Sequence, residues 1–474
     1  MRRAKKPKII NQVLVEDYAA EGKSLARIDG KVIFIEGALP GDRVDVRIHK
    51  SKKDWAEGSV IHFHEYAPHR IAARCAHMGV CGGCQWQELP YDWQLRYKQQ
   101  QVEQTLKRIG KIELPTLDPI VGSQSIFQYR NKIEYTFSNK RFLLPSELSN
   151  PDISATTNVA GFHARGFFDK VVDITTCHLQ AEPTNQIRLF IKSYALERQL
   201  SFYDYRLHTG FLRNLQIRIC ETGQIMVNLI VGENNPALIL PLLEALQKEF
   251  PSITTLLYTV NLKWNDSIFD LEPIAFTGQG FIEEELFNTR YQKKFRFKIG
   301  PRSFFQTNTR QAEKLYQLTE EAAGLTGQET LYDLYCGTGS IGIFMSPGAK
   351  KIIGVEQVAA AIDDARENAQ LNNLNNTSFF AGDVIDICTS DFFATQGQAD
   401  VVVTDPPRAG MHPKLIEKLI EINAPTVVYV SCNPATQARD LQLLDTHYQV
   451  TKVQPVDMFP HTHHIENIVQ LKRR

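Results

Sequence analysis

The stretch that decides the fold of the C-terminal part of the chain is Thr330-Leu331-Tyr332-Asp333-Leu334-Tyr335-Cys336-Gly337-Thr338-Gly339-Ser340-Ile341-Gly342. Its first six residues are typical of a strand, and a glycine-rich turn follows at once, where the backbone can turn tightly and approach a ligand. Short runs rich in β-branched residues follow at 352–355, 401–404 and 427–430, as in buried parallel strands. Apolar residues recur at helical spacing over 358–369. This alternation from about residue 306 predicts a doubly wound α/β domain.

The glycine turn and a later acidic residue predict a nucleotide site. Glu356 ends the next predicted strand, 17 residues after Gly339, and its carboxylate can accept hydrogen bonds from both ribose hydroxyls. Asp333 lies at the tip of the first strand, where an acceptor suits an ammonium group. Two cofactors fit these features. One is a dinucleotide with its pyrophosphate at the helix N-terminus, and the other is S-adenosylmethionine, which carries an ammonium group instead.

The ends of two later strands favour S-adenosylmethionine. Strand 401–404 is followed by Asp405-Pro406-Pro407-Arg408, and strand 427–430 by Ser431-Cys432-Asn433-Pro434. Because ligands of open α/β sheets bind at the carboxyl ends of the strands, both tetrapeptides face one crevice. A rigid Asp-Pro-Pro turn can hold an aspartate against a flat base, whereas a dehydrogenase has no evident need for either tetrapeptide.

Charge and composition limit the protein class. The 474 residues hold 53 basic and 53 acidic side chains, and the 43% hydrophobic content excludes wholesale disorder. Residues 1–75 carry 15 basic and 10 acidic side chains, and the basic tail 1–8 suits nucleic-acid binding, although a solvated terminus explains it more simply. No run of about 18 apolar residues predicts a membrane span, and no signal peptide is evident. We therefore expect a cytoplasmic protein, with a monomer as the default.

The first 65 residues predict a small β-barrel. Val44, Val46 and Ile48 alternate with charged residues, and turn signals recur at Asp29-Gly30 and Pro40-Gly41. The barrel's basic residues could follow a phosphate backbone or form a solvated face: Arg43, Arg47, Lys50, Lys52 and Lys53. Farther along, 215–219 and 225–231 predict a hairpin within a mixed α+β middle region.

Three closely spaced cysteines and one distant cysteine predict a metal centre. Cys75, Cys81 and Cys84 have the spacing C-x5-C-x2-C, and Cys177 lies in a separate segment. Zinc held by three or four sulfurs and a [4Fe–4S] cluster are both allowed by this set. Glycines at 79, 82 and 83 permit the loop to wrap closely around a bulky group.

Taken together, the motifs resemble those of the RNA uracil-5-methyltransferase family. The segments that carry the resemblance occur in the family's order: Ser303-Phe304-Phe305-Gln306-Thr307-Asn308, Asp333-Leu334-Tyr335-Cys336-Gly337-Thr338-Gly339, Asp405-Pro406-Pro407-Arg408, Ser431-Cys432-Asn433-Pro434 and His464-Ile465-Glu466. Tyr129-Arg130-Asn131-Lys132 and Gly161-Phe162-His163 are similar to the family's central domain. The resemblance implies methylation of uracil carbon-5 with S-adenosylmethionine as donor.

By this resemblance Cys432 is the nucleophile that adds to carbon-6 and Glu466 the base that removes the carbon-5 proton. The resemblance also implies the residues that contact the cofactor or the target base: Gln306, Asp333, Tyr335, Gly337, Gly339, Ser340, Glu356, Asp383 and Asp405. Ser340 departs from relatives that carry asparagine, which leaves its contact open. Arg408 suits an RNA phosphate or a structural ion pair. We expect His461, His463 and His464 to line the site or the surface.

The resemblance also implies the domain plan and the target. It predicts a TRAM-like barrel at 1–67, a central domain with a [4Fe–4S] cluster on the four cysteines at 68–305, and a Rossmann-like methyltransferase domain at 306–474. The barrel and the cluster favour a uracil of 23S ribosomal RNA over transfer RNA. Two other functions stay open, namely methylation of an RNA amino group, which needs no cysteine, and RNA binding without catalysis.

Overall fold

The computed structural model describes residues 8–144, 147–148, 150 and 152–474. The predicted basic tail therefore lies, apart from Lys8, outside the described residues. The described strands form three larger sheets and one hairpin, which follow one another along the chain.

The N-terminal sheet has six strands in the order β1-β5-β6-β4-β3-β2, and only the β4–β6 pair is parallel. Its strands are β1 (Lys8–Leu14), β2 (Asp17–Tyr18), β3 (Ser24–Ile28), β4 (Lys31–Glu36), β5 (Arg43–Ser51) and β6 (Trp55–Glu65). Val44 and Val46 are fully buried in the core of this sheet. Arg47 and Lys50 on the same strand are exposed. The predicted alternation is confirmed, and it leaves a basic outer face.

The middle of the chain forms a seven-stranded sheet in the order β13-β12-β11-β10-β7-β8-β9. Its elements are β7 (Lys132–Ser138), β8 (Val159–His163), β9 (Val171–Asp173), α2 (Thr184–Glu197), β10 (Leu212–Ile219), β11 (Ile225–Val231), α3 (Pro236–Glu249), β12 (Thr255–Val260) and β13 (Ile274–Thr277). The predicted hairpin is confirmed, since β10 and β11 pair antiparallel with Leu215 opposite Leu229. Helices α2 and α3 share one apolar core with these strands.

The C-terminal sheet has seven strands in the order β18-β17-β16-β19-β20-β22-β21, and it confirms the doubly wound fold. Its elements are α4 (Thr309–Ala323), β16 (Thr330–Leu334), α5 (Ser340–Met345), β17 (Lys351–Glu356), α6 (Ala359–Leu371), β18 (Thr377–Ala381), α7 (Val384–Ile387), α8 (Ser390–Gln396), β19 (Val401–Thr404), α9 (Pro413–Ile422), β20 (Thr426–Ser431), α10 (Pro434–Leu444), β21 (Tyr448–Val456) and β22 (Glu466–Arg473). The five strands from β18 to β20 are parallel, whereas β22 runs antiparallel to both of its neighbours. Apolar cores cover both faces of the sheet.

Two elements that precede residue 306 pack on this C-terminal sheet or its helices. Helix α1 (Tyr91–Thr105), which continues into a π-helical turn at Leu106–Gly110, buries Val102 and Leu106 in the core on one face. The hairpin of β14 (Ile282–Asn288) and β15 (Lys293–Ile299) packs against α4 and α6 on the other face. The predicted domain limits stay a prediction. No helix among the described residues is long and apolar enough to cross a membrane.

Candidate active site

Asp333 supplies a free acceptor at the carboxyl end of β16. The side chain is fully buried, and its Oδ2 accepts a hydrogen bond from the Gly342 backbone N–H at 3.0 Å. Its Oδ1 is also buried, but it has no partner in the protein. Burial raises the pKa of Asp333 to about 7, and the nearby carboxylates of Asp405 and Glu356 act in the same direction. A buried acceptor without a donor fits a cationic or hydrogen-bond-donating ligand group.

The glycine turn that follows has the backbone that its sequence requires. Gly337 and Gly339 have φ values of +53° and +77°, a region that glycine enters without strain. A Cβ on Gly339 would lie 3.0 Å from the Phe379 ring, so the turn can pass close to β18 only with glycine there. Tyr335 also has a positive φ, of +62°. The Glu356 carboxylate supports the turn, because it accepts hydrogen bonds from the backbone N–H groups of Gly337 at 3.3 Å and Val358 at 2.9 Å.

The other predicted cofactor residues differ in their hydrogen-bond partners within the protein. The Ser340 hydroxyl lies 2.9 Å from the Tyr316 hydroxyl on α4. Asp383 caps α7 by accepting from the Ile385 N–H at 2.9 Å, and its charge helps to raise the pKa of Tyr335. Gln306 is buried, and its backbone carbonyl accepts a hydrogen bond from the Asn131 side chain at 2.9 Å. The structure therefore gives Ser340 and Asp383 protein partners as well as a place beside the crevice.

Sheet register brings Cys432 and Glu466 together. In the antiparallel pair of β20 and β22, Ser431 lies opposite Asn467. The next pair in this register consists of Cys432, one residue after Ser431, and Glu466, one residue before Asn467. Cys432 follows the last residue of β20, and Glu466 opens β22. Side chains two positions apart on a strand point to the same face of a sheet. Asp333 therefore shares a face with Leu331, and Glu466 shares a face with Ile468. Leu331, Ile468 and Val430 belong to one apolar core, so Asp333 and Glu466 lie on the same face of the sheet. The predicted nucleophile and base thus stand side by side although they are 34 positions apart in the sequence.

Three charged groups act on the Cys432 thiol. Burial raises its pKa to about 11, the carboxylates of Glu466 and Asp405 act in the same direction, and Arg408 acts in the opposite direction. Burial and the charge of Asp405 raise the pKa of Glu466 well above its ordinary value. Burial raises the pKa of Asp405 to about 7. A charge on Asp405 thus disfavours a charge on Glu466, as expected for two buried carboxyls in one site.

A loop of residues 457–464 leads into Glu466, and residues from α1 and the segment before it hold this loop in place. Buried Lys98 donates to Asp457 Oδ1 at 2.6 Å and to the Phe459 carbonyl at 3.2 Å. Gln94 accepts from the His461 N–H at 2.8 Å. The Gln85 side chain lies 2.5 Å from His463 Nδ1. The sequence analysis found none of these contacts, since the partners lie more than 350 positions apart.

The three histidines of this loop differ in their surroundings. His461 is buried against the Phe127 ring, with a centroid distance of 4.4 Å, so it lines the interior rather than the surface. His464 Nδ1 lies 2.9 Å from an Arg408 guanidinium nitrogen, at the crevice. The side-chain partner of Arg408 is therefore an imidazole rather than the carboxylate of an ion pair, and its contact with an RNA phosphate stays a prediction.

The four predicted metal-ligand cysteines converge from two segments. Gly82 N–H donates to the His163 carbonyl at 3.2 Å, and Thr175 N–H donates to His77 Nε2 at 3.0 Å, which joins the 75–84 loop to the region of Cys177. All four thiols are free and partly buried. Burial raises the pKa of Cys81 to about 11 and that of Cys84 to about 12, and the charges of Cys75 and Cys177 act in the same direction. The four thiols therefore lie close enough to influence one another electrostatically.

Two of these sulfurs accept hydrogen bonds from the backbone, but the metal centre itself stays a prediction. Among the described residues no three His, Cys, Asp or Glu side chains are arranged to hold a metal ion. Backbone N–H groups of His77 and Gly83 donate to the sulfurs of Cys75 and Cys81, each at 3.4 Å, as they do to thiolate ligands.

The fold and the crevice define a class I methyltransferase, and comparisons with known proteins agree. Residues 274–474 match the family model of tRNA (uracil-5-)-methyltransferases, and residues 10–61 match the TRAM domain. An RNA methyltransferase of Bacteroides thetaiotaomicron, itself uncharacterized, is 49% identical over 96% of this chain and 100% of its own. An uncharacterized RNA methyltransferase of Chlorobaculum tepidum is 38% identical over 98% of this chain and 96% of its own. The chain belongs to the RNA (uracil-5-)-methyltransferase family.

A solved structure supports the same assignment. The tRNA (uracil-54, C5)-methyltransferase of Pyrococcus abyssi, solved in complex with S-adenosyl-L-homocysteine, is 28% identical. It superposes with a TM-score of 0.74 and covers 97% of this chain and 100% of its own. The match extends over the barrel and the central region as well as the C-terminal sheet, so the whole architecture is shared. S-adenosylmethionine is the methyl donor of this family.

Proposed function

We propose that this chain methylates carbon-5 of a uracil in RNA through a transient covalent bond from Cys432 to carbon-6 of the base. The observation that carries the proposal is the register of β20 and β22, which places the thiol of Cys432 beside the carboxyl of Glu466. Both lie on the sheet face that carries the unpartnered acceptor of Asp333. A nucleophile, a proton acceptor and a nucleotide crevice are thus contiguous.

The chemistry explains why the two side chains are needed. The Cys432 thiolate forms a bond to carbon-6, and the carbon-5–carbon-6 π pair moves toward carbon-5 and the carbonyl oxygen at carbon-4. S-adenosylmethionine supplies an electrophilic methyl group that this electron-rich carbon-5 accepts, and the pair of the broken sulfur–methyl bond stays on the sulfur of the departing S-adenosylhomocysteine. Glu466 then removes the proton from carbon-5, the double bond re-forms, and the bond from carbon-6 to sulfur breaks with its pair returning to Cys432. A stacked base hides its faces, so the target must leave its stack.

Buried acceptors around the glycine turn fit the proposed donor. Asp333 Oδ1 lacks a partner and suits the ammonium group of S-adenosylmethionine. Glu356 ends β17, where its carboxylate suits the ribose hydroxyls. Tyr335, Gly337, Gly339 and Ser340 line the turn, and we assign Asp383 to the adenine amino group. We assign Gln306 and Asp405 to the target base or to the cofactor.

Our first candidate target is a uracil of 23S ribosomal RNA, and the second is a uracil of transfer RNA. The family resemblance supports the first, although the barrel does not separate the two targets, since the match to the P. abyssi enzyme extends over it. The P. abyssi enzyme supports the second, because this tRNA (uracil-54, C5)-methyltransferase covers 97% of the chain. Methylation of an amino group remains the competing chemistry, and it needs no thiol.

Mass-spectrometric mapping of 5-methyluridine separates these targets. We expect RNA from a strain that lacks this gene to lose 5-methyluridine at one or more 23S positions, and purified protein to restore it in vitro. Loss confined to transfer RNA would select the second target. An unchanged 5-methyluridine content in both RNAs, together with loss of a methylated amino group, would contradict the proposal. We also propose that the protein acts as a cytoplasmic monomer.

We propose further that Cys75, Cys81, Cys84 and Cys177 hold a [4Fe–4S] cluster. Four thiols without other covalent partners converge there, and backbone N–H groups already point at two of the sulfurs. The family resemblance supports a cluster over a single zinc ion. The methyl transfer needs no redox step, so the role that we assign to the cluster is structural.

Protein purified without air is expected to be brown and to contain about four irons per chain. Cys177→Ser is expected to lose this absorbance and iron, because the only thiolate of the second segment is removed. Cys388→Ser is the matched control, since that thiol is buried at the end of α7. Colourless wild-type protein with one zinc per chain would show that the cluster assignment is wrong.

A further inference from the structure

Arg408 lies where the segments of the proposed active site meet. Its backbone carbonyl accepts from the Asn433 side chain at 3.0 Å and from the Thr436 hydroxyl at 3.3 Å, which ties the Asp-Pro-Pro-Arg turn to the start of α10. Its guanidinium contacts His464 Nδ1 at 2.9 Å. The backbone of Arg408 is therefore fixed by the residues directly after Cys432. Its side chain is fixed by a residue two positions before Glu466.

The charges that face Cys432 are unbalanced without Arg408. Asp405 and Glu466 both disfavour a negative sulfur, and Arg408 is the nearby cation that favours it. A thiol with a pKa of about 11 is ionised at only about one part in 10⁴ at pH 7. Since the thiolate is the nucleophile, any group that stabilises it directly increases the reactive fraction.

His464 is suited to aim this guanidinium. Burial lowers the pKa of His464 to about 3, and His463 and Arg408 act in the same direction, so the imidazole is neutral at pH 7. A neutral imidazole can accept a hydrogen bond at Nδ1, whereas the guanidinium can only donate. The pair therefore has one defined polarity, with Arg408 as donor and His464 as acceptor.

We propose that Arg408 is a catalytic residue that stabilises the thiolate of Cys432, and that His464 is the positioning residue that orients its guanidinium. The proposal rests on the proposed role of Cys432. The thiol proton passes to water, and the positive charge of Arg408 compensates the charge that remains on sulfur. The same charge helps again when the sulfur leaves carbon-6 as a thiolate. A contact from Arg408 to an RNA phosphate is the alternative that the test must separate.

The test measures the thiol itself, in the free protein without RNA. The rate of alkylation of Cys432 by iodoacetamide is followed from pH 6 to 11 by mass spectrometry of the Cys432 peptide, which separates it from the other cysteines. Arg408→Gln is expected to raise the apparent pKa of Cys432 by about one unit and to slow alkylation at pH 8 about tenfold. Arg408→Lys keeps the charge and is expected to recover part of the shift. His464→Leu is expected to give a smaller shift of the same sign.

Lys414→Gln is the matched control, because Lys414 is an exposed cation on α9 that is not among the charges acting on Cys432. It is expected to leave the alkylation profile unchanged. If Arg408→Gln folds like the wild type and alkylates with the wild-type profile, the proposal is wrong, and a loss of RNA affinity alone would assign Arg408 to a phosphate. If the thiol pKa shifts but Cys432→Ala still methylates RNA, Arg408 acts on the thiol as stated, and the nucleophile assignment fails instead.

Discussion

Replacing Cys432 by alanine is expected to lower kcat/KM for RNA methylation by at least about 10⁴-fold, because loss of a catalytic nucleophile removes the covalent route altogether. Uracil carbon-5 gains enough electron density to take the methyl group only after sulfur has added to carbon-6. The side chain of Cys432 is only partly buried, so its loss leaves the core intact. The measurement is the transfer of labelled methyl groups to RNA, together with the dissociation constant of S-adenosylmethionine by calorimetry, which is expected to stay within about twofold.

Cys336→Ala is the control for this experiment, because Cys336 is the other thiol in the nucleotide crevice. Burial holds the pKa of Cys336 well above its ordinary value, and its side chain packs in the apolar core under the glycine turn. We expect this variant to keep methylation within about tenfold of the wild type. Full activity of Cys432→Ala would end the covalent mechanism and favour methylation of an amino group.

The elements that sequence alone could predict are those with local signals. The strand at 330–334, the glycine turn and the acid at the end of β17 follow from residue type and spacing, and each is present in the structure. The alternation in β5 likewise gave the inner and outer faces of the barrel strand correctly. These features depend on neighbours within about twenty positions, which a single sequence displays directly.

The elements that the sequence alone could not predict depend on long-range pairing. No periodic signal identified β21 or β22, yet their antiparallel insertion beside β20 is what brings Glu466 to Cys432. The same holds for α1, whose Lys98 is fully buried and pairs with Asp457. A buried charge normally needs a partner, but the sequence does not show where that partner lies.

The paired carboxyls explain why one acid can serve as the base. Burial raises the pKa of Asp405 and that of Glu466, and the charge of Asp405 further raises the pKa of Glu466. Burial therefore disfavours the charged form of Glu466 beside the thiol that must ionise. A carboxylate that is hard to form is correspondingly a strong proton acceptor once formed, as removal of a carbon-bound proton requires.

Replacing Glu466 by glutamine is expected to trap the RNA on Cys432. Glutamine matches the shape of the protonated carboxyl, which is the form that burial favours at this position, so the fold is expected to be preserved. It cannot accept the carbon-5 proton, so the methylated base keeps its bond to sulfur and turnover falls by about 10²–10⁴-fold. The measurement is a denaturing gel of protein with labelled RNA and S-adenosylmethionine, followed by mass spectrometry of the cross-linked peptide. The adduct is expected to contain Cys432, a uridine and one added methyl group.

Two further variants make this outcome decisive. The double variant Cys432→Ala with Glu466→Gln is expected to give no adduct, because the sulfur that forms the bond is absent. Glu417→Gln removes an exposed carboxylate from α9 and is expected to turn over like the wild type. Glu466 is next to Cys432 in the register of β22 and β20, and Asp405 is the other carboxyl whose charge acts on the thiol. Normal turnover by Glu466→Gln, without a trapped species, would therefore transfer the role of base to Asp405.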